Sequence, residues 1–257
     1  MSVNEKIKEH NLWQLDMKVG KESVHQQAKF DGDELRGVLL KEENLRDAVF
    51  EDIDFSHATL VRCDFSNSVF IGANFSKAHI RGSVFDGANL NGANFTDSKV
   101  INNRFTGARL VGSGFLRTDL EFSSFNNAIL SGAVFERVDA TDVNFNNSLC
   151  NNTVWRNVIL YRSNFYDAMF SPDVDFSTSK LKGVIGDGRV IFSANWFVPF
   201  HVVWTRNTLV IACKQKSIEE WKAMKLKDVE EYGDNAVRFF NVYRDILVAL
   251  IDSTVKA

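Results

Sequence analysis

Two prolines and three cysteines in 257 residues leave this chain without the staples of a small secreted domain. Cys63, Cys150 and Cys213 lie far apart and form no CxxC, which argues against both a disulfide framework and a zinc knuckle. No apolar run nears the ~18 residues of a membrane span, and the start, MSVNEKIKEHN, lacks the apolar stretch of a signal peptide. An excess of one charge is also missing. The formal net charge is −3, whereas broad nucleic-acid binding wants a basic surface. There is no Gly-rich phosphate loop, HExxH or nucleophile elbow, and the five His are scattered. The expectation is a soluble, reduced, cytoplasmic protein that is not an enzyme. It should need no cofactor or metal, and contact neither membrane nor nucleic acid directly.

What the chain has in plenty is phenylalanine: 22 Phe against four Tyr. Residues 86 to 105, DGANLNGANFTDSKVINNRF, place an apolar side chain at every fifth position: Leu90, Phe95, Val100 and Phe105. Neither a helix nor a flat strand has that period. The frame runs from Phe30 to Phe170 without a polar interruption, and the residue two places earlier is usually Ala or Ser. It slips once, at SPDVDF, where Phe176 takes the place of position 175 and Leu181 follows. A coil with flat sides accounts for this, each side sending one large residue inward and one small residue to the corner. From Phe85 to Phe145 Phe occupies alternate inward positions, a period of ten. Like then stacks on like only with an even number of sides, and four sides give about 20 residues per coil.

The units ANLNG, ANFTD, ANFSK and SNFYD resemble the pentapeptide-repeat family, whose pattern is A(D/N)LXX with Leu or Phe central. The resemblance covers roughly residues 28 to 183 and implies a mainly β protein, a right-handed quadrilateral β-helix. At ~4.8 Å per coil the rod is roughly 37 Å long.

A β-helix has two open ends that need covers. Residues 1–27, with Trp13, Leu15 and Met17, suit an N-terminal cap. Residues 184–257 read as a small α+β module. Its runs HVVWT and LVIAC suggest a hairpin, SIEE is a capping box, and residues 235 to 251 follow a helical period. The stripe Phe239, Phe240, Tyr243, Ile246, Leu247 and Leu250 either covers the last coil or pairs with a second copy. Family members often dimerise through this end, which favours a homodimer. With a turn at Arg206 to Thr208, Thr205 pairs with Leu209 and His201 falls opposite Cys213. Cross-strand spacing of about 5 Å would suit a thiolate–imidazole pair, but a half-buried Cys beside a surface His is the simpler reading. The stretch from IGDGR to CKQKSIEEW also resembles a C-terminal module of phage and prophage pentapeptide-repeat proteins. Ala212 stands where that pattern has Gly.

Without catalytic signatures, a rod with four faces reads as a protein-interaction scaffold. The module resemblance favours a phage- or prophage-associated protein, located in the virion or in the host cytoplasm, that binds a phage or host protein. The alternative comes from family members that mimic DNA and act on DNA gyrase. Duplex DNA carries one charge per ~1.7 Å, whereas residues 28 to 183 hold 20 acidic and 16 basic residues. Only the segment from 31 to 64 is strongly acidic, with ten acids against four bases. Asp31, Glu34, Asp47, Glu51, Asp52, Asp54 and Asp64 are therefore the candidate partner-binding residues, expected as one negative patch that a DNA-binding enzyme could engage.

Overall fold

The computed structural model describes residues 2–18, 29–30, 35–188, 190–194, 202–212 and 214–255. The repeat winds into a rod with four walls, because each five-residue unit supplies a short extended stretch and one corner. Residue i pairs in parallel with residue i+20, as in Asn74↔Asn94 and Asn94↔Gly114. One wall carries strands β1 to β4 (Leu39–Lys41, Thr59–Val61, His79–Arg81, Lys99–Ile101). Another carries β5 (Gly114–Leu116), β6 (Val134–Glu136) and β8 (Val154–Arg156). A third carries β7 (Leu149–Cys150) and β9 (Met169–Phe170). We call the walls A to D in chain order, with inward residues such as Leu110 on A, Phe115 on B, Leu120 on C and Phe125 on D.

From Leu35 to Phe165 the residue two places after each inward one adopts a left-handed backbone. Non-glycine φ values at these corners run from +53° (Asp52) to +62° (His57). Asn, Asp and Gly recur there because they adopt this conformation at little cost. Inside, the large residues are fully buried and stack coil on coil. Phe75, Phe95, Phe115 and Phe135 form a ladder with ring centroids 4.9, 4.9 and 4.8 Å apart. Phe115 on wall B also meets Phe125 on wall D edge-on at 6.1 Å, so the two opposite ladders interlock. Buried polar residues at the small positions are satisfied either by the carbonyl three residues back, as Ser98 is by Phe95, or by the preceding coil. Ser123 Oγ donates to the Val100 carbonyl at 2.7 Å, and Asn103 Nδ2 to that of Ile80 at 2.9 Å. The frame slip is visible as a change of step: Asn144 pairs with Asn164, but Asn164 pairs with Ile185.

Helix α1 (Val3–Lys18) covers the first coil through a face different from the expected one. Ile7 joins the core, His10 Nε2 lies 2.7 Å from the Arg46 carbonyl, and Gln14 Nε2 donates to the same oxygen at 2.7 Å. Trp13 stacks on His10 at 5.5 Å and Leu15 is exposed; the Met17 side chain lies outside the described residues. The helical period brings Val3, Ile7, His10 and Gln14 onto one side, which leaves Leu15 on the other.

At the far end the cover is a sheet. Strands β10 to β13 (Phe192–Ala194, Val202–Trp204, Thr208–Ile211, Lys214–Ser217) form an antiparallel sheet in chain order. Val203 and Val210 pack into the rod's core. Gln215 accepts from Leu181 N at 3.1 Å and donates to the Ser179 carbonyl, so it satisfies backbone groups of the last coil. Helix α3 (Asp234–Val255) lies on the sheet's other face rather than on the coil. Phe239 and Leu247 are buried there, with Tyr243 and Leu250 packed alongside, whereas Ile246 is turned away and exposed. Phe240 is half-buried beneath the Arg244 guanidinium. Helix α2 (Ile218–Ala223) starts at the expected capping box of Ser217 and Glu220.

The hairpin register differs by one residue from expectation. Val202 pairs with Ile211 and Trp204 with Leu209, and Thr205 N donates to the Thr208 carbonyl at 2.8 Å. A two-residue turn at Arg206 and Asn207 therefore replaces the three-residue one, held by Thr205 Oγ1, which accepts from Asn207 N at 3.4 Å and Thr208 N at 3.2 Å. This register is one residue off the His201–Cys213 pairing; both residues lie outside the described ones.

Candidate interaction surface

The four walls share one backbone path, so their outer surfaces differ only through the residues that flank each inward position. Charges gather at the two corners of wall C. Arg62 pairs with Glu42, Arg117 with Asp97 at 2.6 Å and Arg162 with Asp142 at 2.5 Å, each joining residue i to i+20. Hydrogen bonds from these arginines hold the three carboxyls below their ordinary values. Wall C also gathers Asp119 and Asp139 in adjacent coils. Burial, then these two and Asp142, push the carboxyl of Glu121 up. A count along the chain misses this group, because its members come together only when coils stack.

Wall A, opposite wall C, is different. Its outward residues include Val49, Val69, Ile71, Val111, Ile129, Leu149 and Met169. Ile71, Val111 and Met169 are 40%, 37% and 46% exposed. From Asn67 to Asn152, wall A and its two corners carry a single charge, Arg109. The corner towards wall B is a run of Gly72, Gly92, Gly112 and Gly132, all left-handed. Little side chain stands between a partner and the backbone there. The Asp52 carboxylate lies along this corner, where a β-carbon at position 72 would meet Asp52 Oδ1 at 2.3 Å.

The acidic candidates are distributed over several faces. Asp47, Glu51 and Asp52 come together at the N-terminal end of wall A and its corners. Asp54 lies round the corner on wall B, and Asp64 is on wall D, opposite Asp54, because two corners separate them. Asp64 accepts from Arg46 at 3.2 Å and from Ser66 Oγ at 2.5 Å. Burial raises its pKa, but the hydrogen bonds from Ser66 and Arg46 outweigh it and hold the carboxyl low. Asp31 and Glu34 lie outside the described residues. The expected single patch thus reduces to a cluster of three, with the other two described acids on different walls.

Among the described residues no group of three or more His, Cys, Asp or Glu could hold a metal ion. No helix among them is long and apolar enough to cross a membrane.

The geometry defines a β-solenoid that carries no evident catalytic constellation among the described residues and presents faces for binding. The family model for a pentapeptide repeat region matches residues 58–133. The one for pentapeptide repeats matches residues 34–66 and 141–171. The chain belongs to the pentapeptide-repeat family. No curated protein matches it. Among solved structures it is similar to a pentapeptide repeat protein from the thylakoid lumen of Arabidopsis thaliana. That match has 25% identity, covers 38% of this chain and 69% of the other, and has a TM-score of 0.38. HetL, a protein involved in heterocyst differentiation regulation in the cyanobacterium Nostoc sp. strain PCC 7120, is 16% identical over 63% of this chain and 77% of its own, TM-score 0.39. Full-length QnrB1, a plasmid-mediated fluoroquinolone resistance protein, is 19% identical over 62% of this chain and 89% of its own, TM-score 0.35.

Proposed function

We propose that this protein is a non-enzymatic interaction scaffold that binds through wall A, and that its partner is a protein with a basic groove of the kind that holds duplex DNA, such as DNA gyrase. The observation that carries this reading is the polarity of the rod. Wall A is almost uncharged and partly apolar along its length, with Asp47, Glu51 and Asp52 at one end. Burying such a wall gains from the hydrophobic effect without desolvating ion pairs, and an acidic end steers a basic partner. A wall roughly 30 Å by 10 Å presents about 300 Å², under half of the ~800 Å² per partner in a standard interface. A groove that embraces the neighbouring corners supplies the rest, and the glycine corner permits close approach. The phage association rests on the sequence resemblance of the C-terminal module alone.

The test is binding of the purified chain to immobilised bacterial DNA gyrase at low and high salt. Affinity should fall with salt, because Glu51 and Asp52 are exposed and screened. Glu51→Lys with Asp52→Lys should slow association, and Val111→Glu should weaken the complex. Arg81→Glu with Lys99→Glu, on wall C, should change little. Equal losses on both walls would overturn the assignment of wall A. Affinity indifferent to salt would overturn the basic-groove partner.

A further inference from the structure

The C-terminal module contains a cleft of about 360 Å³ between α2, α3, strands β12 and β13, and the short 3-10 turn Glu230–Tyr232. Its size is more than twice the ~150 Å³ that holds benzene in an engineered cavity, and it falls within the ~300–1,000 Å³ of organic ligand sites. Phe239, Leu247, Leu209 and Val229 are buried members of the lining, at 5%, 3%, 3% and 4% exposure, and Trp221 and Ile211 add apolar surface. The Trp221 indole N–H is already used, donating to the Leu209 carbonyl at 2.8 Å.

The only charged residues in the described lining are two cations. Lys214 Nζ stands 4.5 Å from the centroid of the Tyr232 ring. Arg244 donates through Nη1 to Asp245 Oδ1 at 2.7 Å and through Nη2 to the Lys222 carbonyl at 2.9 Å. Its Nε is buried and has no acceptor. A buried guanidinium N–H without an acceptor is costly, so this guanidinium has hydrogen-bonding capacity left beyond Asp245 and the Lys222 carbonyl. Lys214 is exposed and the Arg244 side chain is 35% exposed, so the charge lies towards the open side and the apolar surface lies beneath. We propose that this cleft binds an amphipathic carboxylic acid. Its hydrocarbon body, of roughly ten carbons by the cavity comparison above, sits against Phe239, Leu247 and Trp221. Its carboxylate pairs with the exposed part of the Arg244 guanidinium and with Lys214. This site is separate from wall A and does not depend on the partner proposed for it.

Calorimetric titration of the full chain with decanoate, below its micelle concentration, tests the proposal, with decanol as the uncharged probe. Decanoate should bind one per chain and more tightly than decanol. Arg244→Met and Lys214→Met should each weaken decanoate by roughly tenfold or more, the worth of a charge-assisted hydrogen bond, and leave decanol unchanged. Leu247→Trp, which fills the floor, should abolish both. Melting curves establish that each variant is folded, and Lys214→Met, at an exposed position, keeps the charge test available if Arg244→Met is not. Failure of decanoate to bind the wild-type chain would overturn the site. Equal affinity for decanoate and decanol, or decanoate binding unmoved in a folded Lys214→Met variant, would overturn the carboxylate assignment.

Discussion

The rings of Phe95 and Phe115, twenty residues apart in sequence, lie parallel with centroids 4.9 Å apart. Their spacing is the strand spacing of a parallel sheet, so the hydrogen-bonded coils set it and the rings cannot close up independently. Phe115→Ala should therefore leave its cavity largely open and cost about 3 to 5 kcal/mol. Denaturant melts measure this, and a loss below ~1 kcal/mol would refute the rigid ladder.

The corners make a contrasting prediction. Gly107 has φ +67° and open space where a β-carbon would go, whereas Asn127, one coil on at the same corner, adopts φ +57° with a side chain. Gly107→Ala should cost about 1 to 2 kcal/mol through backbone conformation alone. Asn127→Gly should be nearly neutral, because Asn already tolerates this region. If thermal melts ranked the two variants the other way, corner conformation would not be what limits these positions.

His10 couples the N-terminal cap to pH. Burial lowers its pKa, opposed by its hydrogen bond to Arg46 and by the Asp47 charge. The unfolded chain therefore takes up this proton first. The cap's full stability is present above the unfolded value of about 6.5 and is lost as pH falls through the lower folded value. Melting temperature should drop over that window in the wild type and less in His10→Gln. Identical pH profiles would remove His10 from the account.

Burial pushes the Cys150 thiol up to about 12, and that of Cys63 is raised for the same reason, desolvation. In a Cys213→Ser background neither thiol should react with a thiol reagent at neutral pH until the coils open. The reaction should follow the unfolding rate and speed up in Phe115→Ala. Rapid labelling of the folded variant would contradict the packed interior.

The five-residue period by itself determined the rod, the number of its walls, which side chains face inward and the extra residue before Phe176. Each coil repeats one local rule, and backbone hydrogen bonds force neighbours into register, so local pattern and global fold coincide. The Ser217–Glu220 cap was legible for the same reason: it is complete within four residues. Tertiary structure alone decided how the ends close. His10 and Gln14 reach Arg46 because α1 meets the coil at one angle, and the hairpin runs one residue off the expected pairing because its turn has two residues. It also decided that α3 buries Phe239 and Leu247 on a sheet and leaves Arg244 Nε beside an apolar cleft. Those contacts join segments with no shared repeat, so packing geometry, which no periodicity encodes, selects among faces of similar composition.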